Sequence, residues 1–304
     1  MERRGHAGAV TVGEAVEKYT SNRRWLQGSA AADRDDKLFA RTLHGEPLAR
    51  VLLAELDATH IEDWRNGLIK CGRSRQTANR ILRQFKAAMN YAFKKNLIAT
   101  QPWKSVDAFP VPERSRQTYL TIDERRVLLA ASGPELRTFL TALLYTAARP
   151  GELERLTVRD LDLVSSTLRL TMSKGKGGTE RERFFCLSGA ALEFFRLQAA
   201  GKADGDLLVA PRGWGRTRWS RAIRKTVAGI NTRRREVDPQ ARDFPVDVCC
   251  YDMRHTAISD WLVNSVDIGT VAKLAGTSVL MIDRHYHKFI RSAVAEQLAK
   301  IAVV

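Results

Sequence analysis

Tyr251-Asp252-Met253-Arg254-His255-Thr256 sets an arginine and a histidine side by side in a segment that reads as helix. From Asp252 onward the chain keeps helical spacing, with Asp252, Asp267 and Ser278 as candidate N-caps and Gly276 as a C-terminal stop. Tyr251 and Arg254, three apart, then share one helix face. Three other segments offer groups of matching chemistry. Arg149 precedes Pro150, whose fixed φ suits a first helical position, so its guanidinium fork and the helix N–H groups can together hold a phosphate. Lys174 lies in Ser173-Lys174-Gly175-Lys176-Gly177-Gly178, a glycine-rich hairpin tip between extended runs at 167–172 and 182–187. Tyr286 is flanked by Arg284, His285 and His287, neighbours that would favour its phenolate. Taken singly, each has a plainer reading: a capped surface arginine, a turn lysine, a core tyrosine. Their joint order and spacing favours chemistry.

The charge balance points to a partner. The chain has 304 residues, 50 Lys and Arg against 34 Asp and Glu, and a net charge of +16. Nine basic and no acidic residues fall within 212–235: Arg212, Arg216, Arg218, Arg221, Arg224, Lys225, Arg233, Arg234 and Arg235, interleaved with Trp214 and Trp219. A merely solvated surface would mix signs, so this strip reads as phosphate-facing. A second basic face, Arg75, Arg80, Arg83, Lys86, Lys94 and Lys95, accompanies the apolar spacing of Ala78, Ile81, Leu82, Phe85, Ala88, Met89, Ala92 and Phe93. An ordinary wet surface accounts for that face equally well.

The length suggests two domains. Residues up to about 100 read as helices, one of them opened by a capping box at Thr59 and Glu62. Pro102, Pro110 and Pro112 and a polar run mark a linker, which places the domains at 1–111 and 112–304. Thr121 with Glu124 opens another helix, an apolar helix follows at 135–147, and the second domain is mostly helical with a small antiparallel sheet. With no run of ~18 apolar residues and no apolar stretch after the charged start, a soluble cytoplasmic protein is expected. Cys71, Cys186, Cys249 and Cys250 read as reduced core residues, since their spacing fits neither a disulfide framework nor a zinc site. Nucleotide-binding loops are absent, and no clustered carboxylates offer a magnesium site, so charge stabilisation falls to Arg and Lys.

The stretch 120–289 resembles the catalytic domain of the tyrosine recombinase (phage integrase) family. Thr146-Ala147-Ala148-Arg149-Pro150-Gly151-Glu152-Leu153 is similar to its first arginine box, and Ser173-Lys174-Gly175-Lys176 to its hairpin lysine turn. Tyr251-Asp252-Met253-Arg254-His255-Thr256 is similar to its H-x-x-R-H-T box and Leu274-Ala275-Gly276-Thr277-Ser278 to its L-G-H-S box, with Tyr286 nine residues after Thr277 in the nucleophile's place. Residues 10–105 resemble, by helix pattern alone, the family's helical core-binding domain. The resemblance implies a two-domain, mainly α architecture and DNA strand exchange without metal, ATP or other cofactor. Tyr286 would attack the scissile phosphate to give a 3′-phosphotyrosyl link, Arg149 and Arg254 would stabilise the pentacoordinate transition state, and Lys174 would protonate the departing 5′-oxygen. Glu152, one turn beyond Arg149, would orient that arginine.

Two positions depart from the family pattern: Tyr251 and Thr277 stand where histidines are usual, each keeping a hydroxyl for hydrogen bonding. His255 reads as a structural residue of its helix, and His285 and His287 as solvent-facing groups. The expected partner is double-stranded DNA, bound by a homotetramer on paired sites and by a monomer off DNA, with room for a DNA-bending accessory protein. Integration or excision of a phage or other mobile element is the simplest role, in the cytoplasm at the nucleoid. The short leader before the first helices makes a separate arm-binding domain unexpected. Phe289, Ile290, Val294, Leu298 and Ile301 form a helical stripe suited either to docking on a neighbouring protomer or to closing their own domain. Two other classes compete: a non-cleaving DNA-binding accessory factor of the same stock, and a metal-dependent nuclease using Asp123, Asp160 or Asp162.

Overall fold

A computed structural model of the chain describes residues 10–111, 119–172 and 181–298. The chain divides into two compact units, Met1–Arg114 and Ser115–Val304. No helix among the described residues is long and apolar enough to cross a membrane.

The first unit is helical: α1 (Val12–Gln27), α2 (Ser29–Ala40), α3 (Ala58–Lys70) and α4 (Arg75–Lys94), with short 3₁₀ turns at Pro47–Arg50 and Pro102–Lys104. Its core is built from the inward faces of these helices, with Val16, Phe39, Trp64, Ile81, Phe85 and Met89 buried together. The apolar spacing read in the sequence is the buried stripe of α4. Helix α3 begins earlier than the Thr59–Glu62 pattern predicts. Asp57 is the N-cap, and its carboxylate accepts from His60 N at 2.9 Å, which leaves Thr59 inside the first turn instead of capping it. A polar network stiffens the centre, where Gln84 Nε2 donates to Tyr19 Oη at 3.1 Å and to Asp35 Oδ2 at 2.8 Å.

The second unit joins α5 (Ile122–Ala131), α6 (Pro134–Thr146), the single turn α7 (Pro150–Leu153) and an antiparallel sheet of β1 (Leu161–Asp162), β2 (Thr167–Met172) and β3 (Arg181–Cys186), in that order. Then follow α8 (Gly189–Ala199), α9 (Arg216–Val237), α10 (Cys250–Val263), α11 (Ile268–Ala275) and α12 (Val279–Leu298). The expected Thr121–Glu124 capping box opens α5. Period-2 alternation governs the sheet: Leu168 pairs with Phe185 across the ladder and both are buried, while Phe184 points to solvent. Helix α10 is buried along most of its length, because α6, α11 and α12 all pack on it. Its N-cap is Cys249, with Asp252 at the third helical position accepting from Cys249 N at 2.7 Å, so Asp252 closes the cap from inside instead of starting the helix. The cysteines are free thiols, but Cys71 and Cys186 are exposed and only Cys250 is fully buried, which corrects the expectation of four core residues.

Candidate active site

The site forms where α7, β3, α10, α11 and α12 meet. Helix α6 ends at Ala147, which takes the left-handed conformation (φ 47°), a cost of about 1–2 kcal/mol for an L-residue. That turn presents the Ala147 carbonyl to α10 and makes Arg149 the N-cap of α7. Helix α11 ends at Gly276, also left-handed (φ 63°), so its last carbonyls open toward the same space.

Three arginines from three elements occupy that carbonyl row. Arg183 Nε donates to Leu274 O at 3.0 Å, Arg254 Nη2 to Ala275 O at 2.7 Å, and Arg149 Nη2 to Gly276 O at 2.7 Å. The negative end of the α11 dipole attracts them. Arg254, 6% exposed, also donates through Nη1 to Ala147 O. Burial and the nearby Arg149 charge pull its guanidinium down to about 10, so it is cationic at neutral pH but held in a place that disfavours its charge. Glu152, 5% exposed, accepts from Arg149 N at 2.9 Å, Arg149 Nη1 at 3.0 Å and Arg183 Nη2 at 2.9 Å. Burial pushes its carboxyl up, but the Arg183 and Arg149 contacts outweigh that and leave it below the ordinary glutamate value. Two guanidinium groups thus hold one carboxylate while the third, Arg254, feels its charge without a contact, and the excess positive charge suits an anion.

Tyr286 on α12 is 4% exposed, and its hydroxyl lies 2.5 Å from His255 Nδ1. Burial pushes its pKa up to about 12, and the nearby Arg254 charge offsets only part of that rise. The neighbours Arg284, His285 and His287 do not favour phenolate as the sequence led us to expect: successive helical side chains diverge by ~100°, so they project away from the inward-facing ring. The ring packs with Ala147, Ile258, Ala275 and Ile282. His255, read as a structural residue, is therefore the group in contact with the candidate nucleophile. Tyr251 is half exposed, its ring 6.5 Å from that of His255, and Thr277 sits half-buried in the turn after α11. Tyr119 and Arg125 clamp Asp260 of α10, at 3.0 Å and 2.6 Å, fixing the helix that carries Arg254 and His255.

Lys174 lies outside the described residues, as do the side chains of Ile290, Val294, Leu298 and Ile301. Phe289 meets the Tyr119 ring at 5.6 Å. The basic strip forms much of α9: Arg216, Arg218, Arg221, Arg224 and Lys225 are exposed, as is Arg212 before the helix, while Ile223, Val227 and Ile230 are buried on the other side. Its tryptophans serve packing. Trp219 stacks on Phe139 at 3.9 Å between centroids, and Trp214 lies beneath the Arg218 guanidinium at 4.6 Å. On α4, Arg75, Arg80 and Arg83 are exposed, whereas Lys86 is half-buried and donates to Val106 O at 2.6 Å. Asp160 is taken by Arg169 at 2.8 Å and Asp162 by Ser165 at 2.6 Å, and no metal-capable cluster of His, Cys, Asp or Glu occurs among the described residues.

Sequence reasoning passed over Arg183. A signal was present: in β3 it alternates in phase with the buried Phe185, and a charge on the inward face of a strand calls for a partner.

Neither a protein-family model nor a curated protein matches the sequence. Solved structures do. The chain is similar to the Tn1549 transposon integrase in complex with transposon right end DNA, with a TM-score of 0.73 at 18% identity over 96% of this chain and 100% of that one. It is also similar to a lambda integrase dimer bound to a COC′ core site, with a TM-score of 0.68 at 18% identity over 90% of this chain and 97% of that one. This is the tyrosine-recombinase fold. In this chain Arg149, Arg254 and Tyr286 lie on α7, α10 and α12, and the end of α11 gathers the two arginines.

Proposed function

We propose that the protein is a site-specific tyrosine recombinase that breaks and rejoins duplex DNA for a phage or other mobile element. The observation that carries this is the convergence of Arg149 and Arg254 on one turn, with the buried Tyr286 hydroxyl against His255 and within the electrostatic reach of Arg254. The Tyr286 oxygen attacks the scissile phosphorus as its proton passes to His255, a 3′-phosphotyrosyl bond forms, and the phosphorus–5′-oxygen bond breaks. Lys174 supplies the proton that leaves with the 5′-hydroxyl. Arg149 and Arg254 stabilise the charge that builds on the non-bridging oxygens, a contribution of ~10²–10³ in rate for a single such donor elsewhere. The phosphodiester energy is kept in the covalent link for rejoining. Residues 1–111 act as the core-binding domain and 112–304 as the catalytic domain, with the exposed basic faces of α4 and α9 as duplex contacts and Tyr251 and Thr277 as phosphate-contacting hydroxyls. The integrase structures described as DNA complexes support duplex DNA as the partner, and a lambda integrase tetramer bound to a Holliday junction, similar at a TM-score of 0.63, supports assembly on paired sites.

The test is covalent capture from a library of nicked duplexes that includes the DNA flanking the gene. Wild type should yield an adduct resistant to denaturant and Tyr286→Phe none. An undiminished Tyr286→Phe adduct, or no wild-type adduct from bound duplex, sinks the reading. The second outcome would favour the accessory-factor alternative, which the half-exposed Tyr251 in a histidine's place motivates.

A further inference from the structure

Arg183 has no part in the chemistry above, yet it lies at the centre of the charged cluster. We propose that Arg183 is a positioning residue for strand cleavage, holding Glu152 and, through it, Arg149 in register with the end of α11. The inference rests on the recombinase reading. Arg183 reaches inward from β3 and bridges two elements: Nε donates to Leu274 O at 3.0 Å and Nη2 to Glu152 Oε2 at 2.9 Å. The other Glu152 oxygen holds Arg149 Nη1 at 3.0 Å. Arg183 also sets what the turn tolerates, since a Cβ on Gly276 would meet its Cζ and Nη1 at 3.0 Å. The guanidinium therefore packs against the same residue whose carbonyl receives Arg149. Its Nη1 is buried with no hydrogen-bond partner among the described residues. Keeping a charged fork there at the expense of an unmade hydrogen bond fits a group needed for alignment better than one needed for packing. A lysine carries all its N–H donors on one nitrogen and cannot span Leu274 O and Glu152 as the Arg183 fork does.

The experiment follows single-turnover adduct formation at saturating nicked duplex, together with duplex affinity and melting temperature. It uses full-length wild type, Arg183→Met, Arg183→Lys, Glu152→Gln and the Arg183→Met/Glu152→Gln double variant. Arg183→Met should slow adduct formation ~10–10²-fold, as expected of a misplacement on the ångström scale, with affinity within about threefold. The loss should be deeper near pH ~6 than near pH ~8, because without Arg183 burial raises the Glu152 carboxyl and its protonation releases Arg149. Arg183→Lys should recover part of the rate, and Arg183→Met should add less than about twofold to Glu152→Gln, the signature of a shared pathway. A loss that is independent of pH, or fully additive with Glu152→Gln, overturns the proposal. If Arg183→Met does not fold, the pH dependence of the Arg183→Lys deficit decides in the same way. A wild type that forms no adduct overturns the recombinase reading and this inference with it; an active wild type with an unaffected Arg183→Met overturns this inference alone.

Discussion

Replacing Glu152 by Gln keeps the shape of the side chain and removes the carboxylate that Arg149 and Arg183 share. Glu152 accepts three hydrogen bonds at 2.9–3.0 Å, two of them from guanidinium groups. A glutamine oxygen can retain one guanidinium contact, but the amide then turns N–H toward N–H at the other. Breaking a buried ion pair by removing one partner costs about 3–5 kcal/mol, and the partial exposure of Arg149 screens its share, which points to the lower end, ~3 kcal/mol. In a unit of this size each kcal/mol shifts the melting temperature by ~2–4 °C, so thermal denaturation should show a fall of roughly 6–12 °C. The effect should also depend on pH. The Glu152 carboxyl is held below its ordinary value in the folded protein, so its stabilisation is complete above that ordinary value and is lost as pH falls through the depressed one. Melting curves of wild type and Glu152→Gln should therefore converge on acidification. A shift under about 2 °C at neutral pH, or a gap that widens as the pH falls, would refute the reasoning.

Two further outcomes follow from the same geometry. With the Tyr286 hydroxyl pushed up to about 12, almost no phenolate exists at neutral pH, so His255→Ala should slow adduct formation ~10²–10⁴-fold and alkaline pH should restore part of the rate; an unchanged rate would remove His255 from proton transfer. Changing Arg218, Arg221 and Lys225 together to Gln should weaken duplex binding across all sequences and reduce the slope of log affinity against log salt by ~2–3, whereas an unchanged slope would mean that this face of α9 does not meet phosphates.

Much of this fold was legible in the chain. The amphipathic stripe of α4 and the alternation of β2 are periodicities that burial imposes directly, and the segments around Arg149 and Arg254 were picked out by their resemblance to short family motifs. What stayed hidden depends on contacts across long sequence separations. Arg183 meets Glu152 and Leu274 through turns that no local pattern encodes, and His255 meets Tyr286 only because α10 and α12 pack together. The place of the tryptophans in the basic strip was hidden for a related reason, since Trp219 stacks on Phe139, far away in the sequence. The charge beside Tyr286 was misjudged because proximity along a helix is not proximity in space.

The central claim is that Tyr286 becomes covalently bound to DNA. Wild-type protein trapped on a nicked duplex, digested with nuclease and protease and analysed by mass spectrometry should give the Tyr286 peptide carrying a nucleotide through a 3′-phosphate on the phenolic oxygen. The same mass addition on any other residue, or unmodified Tyr286 peptide from a sample that has cut its duplex, would contradict the account.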